Sequence, residues 1–435
     1  ELEEKFSHSF PYQETPDQKK AIEEILSDLA SDTPMDRVLA GDVGFGKTEV
    51  AFRAILRAAV NSRQSILLAP TTVLVEEHTR TMKERFQNFP IRVESLSRLT
   101  HPKKEKGIIS DFLDGRIDCL VGTHRILSKD IIHALQERGE KSAIGLPFCR
   151  ERSDSLQNAA QGGFSSRLGL LIIDEEQRFG VKQKEIFKNI RPDINILSIS
   201  ATPIPRTLSL ALANLKSISI IKTPPIERIP IRTFVVPYHD RLVKESLLEE
   251  MKRGGQAFFL HNRVQTLGLF KQKLQRLLPK ARIEYIHGKT KPKEIIRVLK
   301  DFREKTIDIL VATTIIENGI DFPNANTLIV EDATRLGLSE AHQLRGRIGR
   351  GDRESYAYFM YRSKSITEKA FLRLQALLEA SELGSGYDIA LKDLEIRGAG
   401  NILGRAQSGV ANTIGLNLYY QMLSDAIERQ HAYKE

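Results

Sequence analysis

The sequence predicts an α/β protein with two domains, each built around a parallel β-sheet. The chain has 435 residues, which suits two or three domains better than one. Short, wholly apolar runs alternate with longer segments of helical spacing, as in βαβ units. A cluster of three prolines, Pro224, Pro225 and Pro230, divides this pattern into two halves and indicates a linker.

The elements follow this pattern along the chain. In the first half, apolar runs predict buried strands at residues 37–40, 65–69, 118–121, 169–173 and 195–199. After the linker, further runs predict strands at 256–260, 282–286, 307–311 and 327–330. A helix with one buried face is predicted where Leu267, Phe270, Leu274 and Leu277 recur at helical spacing. From about Ser365 the sequence predicts a long helical run, followed by a glycine-rich stretch.

The composition excludes several classes of protein. Hydrophobic residues make up 41% of the chain, which is too many for a wholly disordered protein. Cys119 and Cys149 are too few for a disulfide framework or a four-cysteine zinc site, and they fit a reducing cytoplasm. No apolar stretch reaches about 18 residues, so no membrane span is predicted. The chain starts at Glu1 without a signal-peptide pattern, and we expect a piece of a longer protein.

A phosphate-binding loop is predicted at residues 41–48, which match the pattern G-x-x-x-x-G-K-T. The loop follows a predicted strand and opens a predicted helix, which is the context that the motif requires. Gly44 and Gly46 let backbone N–H groups close around phosphate oxygens. Lys47 can reach the β and γ phosphates, and Thr48 can hold Mg²⁺. We therefore expect ATP and Mg²⁺ as cofactors; the alternative is a glycine-rich turn without a ligand.

Acidic residues follow the predicted strand at 169–173. Asp174 is placed to support Mg²⁺, directly or through water, and Glu175 to orient and deprotonate the attacking water. Three acids after a strand are, on their own, more often a solvated strand end. Their pairing with an upstream phosphate loop in one domain favours the catalytic interpretation.

The motifs around these sites resemble, in order, those of the superfamily 2 helicases and translocases. The matching segments are residues 15–18, 70–72, 123–124, 174–177, 200–202, 312–321 and 343–350. The resemblance implies two RecA-like domains. It also implies that Gln18 reads adenine. It further implies contacts to a nucleic-acid backbone by the threonines Thr71, Thr123, Thr202, Thr313 and Thr314. A lone threonine before a helix is, alternatively, only an N-cap.

Two arginines of the last motif are candidates for the chemistry of phosphoryl transfer. Guanidinium groups bind phosphate in a bidentate manner and neutralise transition-state charge. Arg347 and Arg350 are therefore predicted to reach the γ-phosphate. The alternative is a solvated basic turn.

The C-terminal segment, residues 393–409, resembles the translocation motif shared by the RecG family and the transcription-repair coupling factors. This resemblance implies a helical hairpin and loop that couple ATP hydrolysis to movement on double-stranded DNA, with Arg397 and Gln407 as its functional polar residues. The alternative is a glycine-rich loop that only packs under the second domain. Residues 9–12, Phe45 and residues 314–317 resemble the coupling factors more than RecG.

These resemblances predict an ATP-dependent double-stranded DNA translocase, the motor module of a coupling factor that moves stalled RNA polymerase. Partners would be duplex DNA and, through parts not in this chain, RNA polymerase and the excision-repair machinery. The expected protein is a monomer in the cytoplasm, associated with the nucleoid. The net charge of +9, from 65 basic and 56 acidic residues, agrees but is a weak hint.

Three alternatives remain open: a RecG-like enzyme that remodels branched DNA, a nucleic-acid-binding module without ATPase activity, and a P-loop protein that binds nucleotide without DNA. The predicted domains are residues 1–222, a linker at 223–230, residues 231–364, and the translocation motif at 365–435. Two features depart from the family pattern. Gln177 stands where relatives commonly carry histidine, and an insertion occupies about 133–166. We expect the insertion to be a surface segment.

Overall fold

The computed structural model describes most of the chain, although with gaps. The described residues are 1–128, 131–132, 167–179, 186, 192–201, 217–225, 229–313, 322, 324–349, 351, 353–362, 366–380, 384–386, 388–389 and 392–393. The predicted insertion at 133–166 and the glycine-rich stretch after residue 393 lie outside them. Two compact units are present, residues 1–39 with 46–200 and residues 40–45 with 201–435. No helix in the described ranges has the length and apolar character needed to cross a membrane.

The first sheet has seven strands in the order β3-β4-β2-β5-β6-β1-β7. Its strands are β1 (Asp36–Gly41), β2 (Gln64–Leu68), β3 (Val93–Leu96), β4 (Cys119–Gly122), β5 (Leu168–Asp174), β6 (Asn195–Ser200) and β7 (Ser217–Ile221). The pairings of β3 with β4, β4 with β2, β2 with β5 and β5 with β6 are parallel. The central strands are buried on both faces, which explains their continuous apolar runs.

Two helices, α1 (Leu2–His8) and α2 (Pro16–Ala30), precede β1. Three more connect the first four strands: α3 (Lys47–Val60), α4 (Thr72–Arg85) and α5 (Pro102–Leu113). The α5 side of the sheet has a core in which Ile108 and Phe112 pack with residues of five strands, including Ile66, Leu120 and Leu171. Because these strands are parallel, each helix returns the chain to the same edge of the sheet, and the carboxyl ends of the strands lie together.

The second sheet has six strands in the order β10-β11-β9-β12-β13-β8, and every pairing is parallel. The strands are β8 (Arg232–Pro237), β9 (Gln256–Leu260), β10 (Ile283–Ile286), β11 (Ile309–Ala312), β12 (Ala325–Val330) and β13 (Tyr356–Tyr361). The helices are α6 (Asp240–Lys252), α7 (Leu267–Leu277), α8 (Pro292–Arg303), α9 (Leu338–Arg345) and α10 (Glu368–Glu379).

The two parallel α/β sheets confirm the predicted fold class. Each apolar run became a strand, with bounds that differ from the prediction by at most two residues at either end. The predicted helix at Leu267–Leu277 is α7, whose buried residues are Leu267, Phe270 and Leu274. Sequence reasoning missed β3, β7, β8 and β13, of which the first three are edge strands.

The two sheets share a repeated local structure. Residues 111–123 and 301–313 have the letters D-F, I-D, L-V and T at matching places. Gln64 Nε2 donates to the carbonyl oxygens of Phe112 and Ile117, and Gln256 Nε2 donates to those of Phe302 and Ile307. The same buried bridge therefore closes the helix-to-strand turn in both sheets.

Candidate nucleotide site

The phosphate-binding loop joins β1 to α3, as the sequence predicts. Gly44 and Gly46 have positive φ angles of 83° and 78°, which glycine adopts without steric cost. Gly46 is the N-cap of α3 and has no side chain that could cap the first N–H groups of the helix. Lys47 and Thr48 form the first turn of α3 and are half-buried. The helix therefore begins without a side-chain cap, and its positive N-terminal end faces the loop, as at an anion site.

Gln18 lies against this loop. Its Oε1 accepts a 2.9 Å hydrogen bond from the Thr15 N–H, while the Thr15 hydroxyl accepts one from the Gln18 N–H. This capping box starts α2 and fixes the side chain of Gln18. A Cβ added at Gly46 would collide with Gln18 Nε2, so a larger residue at position 46 would displace the Gln18 amide in addition to straining the backbone. Gln18 is 5% exposed, and its amide group is held beside the loop.

Asp174 is the last residue of β5, and each oxygen of its carboxylate accepts one hydrogen bond. Its Oδ1 accepts the Glu175 N–H at 2.9 Å, and its Oδ2 lies 2.7 Å from His78 Nε2. Burial acts to raise the pKa of Asp174, but the hydrogen bond and charge of His78, with the charge of Lys47, hold the pKa below its ordinary value. Asp174 is therefore ionised at neutral pH, near the positive charge of Lys47.

Glu175 has a left-handed backbone conformation, with φ at 51°. A non-glycine residue in this region is uncommon, and such strain clusters at functional sites. Both Glu175 and Glu176 are buried, at 9% and 4% exposed. A solvated strand end, the alternative weighed from the sequence, would leave these carboxylates in water. Their burial favours a binding or catalytic role.

The donor chemistry of the site fits Mg²⁺. Thr48 and Asp174 supply a hydroxyl and a carboxylate, and Mg²⁺ prefers such oxygen ligands while keeping several water molecules. Within the described ranges, no group of three or more His, Cys, Asp or Glu residues could form an all-protein metal cage. A metal held by one or two protein oxygens and by nucleotide phosphates agrees with both observations.

An ion-pair cluster supports α3 behind the loop. Glu49 accepts hydrogen bonds from Arg53 Nε at 2.9 Å and from Arg85 Nε at 3.0 Å. The Arg85 guanidinium lies 3.7 Å from the ring centroid of Phe6, which α1 contributes. All three charged side chains are less than 15% exposed. The cluster ties α1, α3 and α4 together and fixes the helix that presents Lys47.

Three of the candidate DNA-contacting threonines lie at carboxyl ends of strands. Thr71 follows β2, and its hydroxyl caps α4 by accepting the Leu74 N–H at 3.3 Å. Thr123 follows β4 and accepts the Arg125 N–H at 3.4 Å. Thr313 follows β11 and is 8% exposed. The first two are N-caps, as the alternative interpretation had it, and contact with a nucleic-acid backbone stays a prediction for all three.

In the second unit, the arginine-rich motif forms α9 and the turn after it. Arg347 is 3% exposed. Arg345, at the end of α9, donates to the carbonyl oxygens of Leu377 at 3.1 Å and Ala380 at 2.7 Å. Burial lowers the pKa of Arg345 to about 10, so it keeps its charge at neutral pH. Arg345 thus holds the end of α10 and is not free to meet a phosphate.

Other predicted site residues lie outside the described residues. They are Thr202, Thr314, Arg350, Arg397 and Gln407. Their roles stay predictions.

Sequence reasoning missed two residues, His78 and Arg345. His78 falls four residues after Leu74 on the buried face of α4, and that spacing was its only signal. Arg345 stood within the matched motif, where only Arg347 and Arg350 were given a role. Neither partner could be read from the sequence, because Asp174 and Ala380 come close to them only in the folded chain.

Comparison with known proteins finds two family models that match this chain. Residues 15–210 match the model of the DEAD/DEAH box helicases, and residues 239–352 match that of the helicase conserved C-terminal domain. The chain therefore contains both conserved helicase domains. The two domains together support an enzyme of the ATP-dependent helicase superfamily, which implies nucleotide binding.

The chain is similar to proteins named transcription-repair-coupling factor. It is 46% identical over 99% of its length to those of Bacillus subtilis and Borreliella burgdorferi. It spans about a third of their length, 34% and 36% respectively. A solved structure of RecG bound to a three-way DNA junction superposes with a TM-score of 0.71 and 32% identity, over 97% of this chain and 52% of that one.

Proposed function

We propose that this chain is the ATP-driven motor of a double-stranded DNA translocase that moves stalled RNA polymerase. This proposal rests mainly on the 46% identity of the chain, over 99% of its length, to transcription-repair-coupling factors. Contacts to RNA polymerase and the excision-repair machinery would come from parts of the longer protein. The motor would act as a monomer on DNA in the cytoplasm, associated with the nucleoid.

The residues of the nucleotide site have separable roles in this proposal. Lys47 holds the β and γ phosphates, while Thr48 and Asp174 hold Mg²⁺. Mg²⁺ supplies charge neutralisation of the phosphates when bound. Glu175 orients the attacking water and takes its proton, because its buried carboxylate follows Asp174 directly. Gln18 hydrogen-bonds the adenine.

The remaining candidates link hydrolysis to movement. Arg347 and Arg350 neutralise the charge of the transferred phosphoryl group. The threonines at strand ends contact the DNA backbone through hydroxyl and N–H groups, without reading bases. Arg397 and Gln407 couple the ATP cycle to the duplex. The domain bounds of 1–222, 231–364 and 365–435 assign these roles to two motor domains and a coupling segment.

A second function, remodelling of branched DNA, is favoured by the similarity to RecG bound to a three-way junction. Two substrates separate the functions. A duplex translocase displaces the third strand of a triplex on unbranched DNA. A branch-specific enzyme unwinds three-way junctions and leaves that triplex intact. We expect triplex displacement by this chain, driven by ATP.

Substitution of the phosphate-loop lysine tests the nucleotide site. Lys47→Ala should reduce DNA-stimulated ATP hydrolysis at least a hundredfold, because no other cation at the start of α3 can reach the phosphates. The far-ultraviolet circular dichroism should be unchanged. Lys252→Ala, on the exposed end of α6, is the matched control and should hydrolyse ATP as the wild type does. Wild-type turnover by Lys47→Ala would refute the site.

Substitution in the translocation motif tests the coupling. Gln407→Ala should slow triplex displacement more than ATP hydrolysis, because it is proposed to act after the chemical step. The measurement is the ratio of displacement rate to hydrolysis rate. An unchanged ratio would remove Gln407 from the coupling role.

A further inference from the structure

His78 and the carboxylate of Asp174 form a buried pair beside the nucleotide site. The distance from His78 Nε2 to Asp174 Oδ2 is 2.7 Å, and the two side chains are 11% and 14% exposed. The other oxygen, Oδ1, accepts the Glu175 N–H at 2.9 Å. Both oxygens of the carboxylate therefore have a fixed donor, which sets the plane of the group.

The fold brings this pair together through the pairing of β2 with β5. In that parallel register, Leu68 lies opposite Ile173, so the two strands end at the same level. After β2 the chain enters α4, and Thr71 is the N-cap of that helix. The buried face of α4 contains Leu74, Val75 and His78. The imidazole of His78 therefore lies at the end of β5, beside Asp174.

We propose that His78 is a positioning residue for the magnesium-binding carboxylate. This inference rests on the proposed function, in which Asp174 supports Mg²⁺. His78 donates from Nε2 to one oxygen, and the backbone donates to the other. The carboxylate keeps its remaining lone pairs aimed at the metal and its water molecules. The residue acts through Asp174 and contacts neither nucleotide nor metal.

The expected magnitude follows from other metal sites. Loss of a group that hydrogen-bonds a ligating residue typically costs about 10- to 100-fold in metal affinity or activity. Without His78, the carboxylate would rotate about its χ2 bond, and its charge would be aimed less well. Nucleotide binding without metal should be unaffected, because it depends on the phosphate loop.

The test measures the Mg²⁺ requirement for nucleotide binding by the full chain. Binding of a fluorescent ADP analogue would be measured in EDTA and across a Mg²⁺ titration. For His78→Ala we expect affinity in EDTA within about twofold of wild type, and a half-saturating Mg²⁺ concentration raised about tenfold or more. His78→Gln places an amide N–H where Nε2 stood and should restore the Mg²⁺ requirement to within about threefold. His78→Asn is too short and should not.

Thr79→Val is the matched control on the same buried face of α4. The Thr79 hydroxyl donates only to the Val75 carbonyl oxygen within the helix, at 2.6 Å, so its loss should leave the Mg²⁺ requirement unchanged. An unchanged requirement in His78→Ala would overturn the inference, as would equal behaviour of His78→Gln and His78→Asn. If His78→Ala does not fold, the comparison of Gln with Asn decides. A wild-type chain without Mg²⁺-dependent nucleotide binding would overturn the nucleotide site itself.

Discussion

Glu175 and Lys305 adopt the same unusual backbone conformation, with φ angles of 51° and 59°. Glu175 follows Asp174, and the backbone N–H of Glu175 donates to the Asp174 carboxylate. Lys305 ends the turn after α8, where the equivalent turn after α5 has Gly115 with φ at 74°. One residue has this conformation at a candidate catalytic position, and the other has it only to close a turn. The same geometry therefore stands at a candidate catalytic position in the first case and at a turn in the second.

A substitution at Lys305 tests this distinction. Lys305→Gly should raise the free energy of unfolding by about 0.5 kcal/mol, because relief of left-handed strain exceeds the added chain entropy. Glu304→Gly, the neighbouring residue with φ at −76°, should lower it by about 0.5 to 1 kcal/mol. Urea denaturation of both variants checks the signs. Destabilisation by Lys305→Gly would contradict the strain argument.

Helices α9 and α10 show how one side chain joins two elements. The last turn of a helix leaves carbonyl oxygens without helical partners, and its end carries partial negative charge. Arg345 supplies two donors and a positive charge to that end of α10, at Leu377 and Ala380. Its guanidinium also lies 2.9 Å from His342 Nδ1. The arginine-rich motif therefore contributes to structure through Arg345, while Arg347 stays the candidate for phosphate.

Loss of this contact should destabilise the second unit. Arg345→Met should lower the free energy of unfolding by about 2 to 4 kcal/mol, since two buried charged hydrogen bonds are lost. Arg345→Lys keeps the charge without the planar fork and should recover only part. Arg241→Ala is the control, because its ion pair with Glu245 is exposed to solvent and contributes little to stability. Equal thermal midpoints for Arg345→Met and Arg241→Ala would refute the capping role.

At the scale of the whole molecule, the count of 65 basic residues overstates the positive surface available to DNA. Many arginines are bonded to carboxylates of the same chain, as are Arg37, Arg53, Arg85, Arg125 and Arg282. An arginine in such a pair has less positive potential to offer a phosphate. A translocase that grips the backbone needs only a few phosphate contacts in each state, and these need not depend on base sequence.

DNA binding should therefore depend on salt and not on base sequence. The logarithm of the affinity should fall linearly with the logarithm of salt concentration, with a slope of about −0.9 per phosphate contacted. Fluorescence anisotropy on two duplexes of equal length and different sequence measures both properties. A strong preference for one duplex would contradict tracking along the backbone.

The sequence by itself determined the central architecture. Strands such as β4 and β9 are buried on both faces, so their letters are continuously apolar and cannot be mistaken for loops. The phosphate loop was equally readable, because its glycines, Lys47 and Thr48 are adjacent in the chain. The edge strand β8 was not readable, since its residues alternate between exposed and half-buried and its ladder partner β13 comes more than a hundred residues later.

Only the tertiary structure decided which side chains act together. His78 and Asp174 are separated by 96 positions, and Arg345 and Ala380 by 35. Local patterns report on burial and periodicity, so the spacing from Leu74 could at most have indicated a buried position for His78 and could not have named its partner. The partner follows from the order and register of the strands, which place the ends of β2 and β5 side by side. Sequence therefore determined the chemistry available at each position, and the pairing of distant strands decided where that chemistry meets.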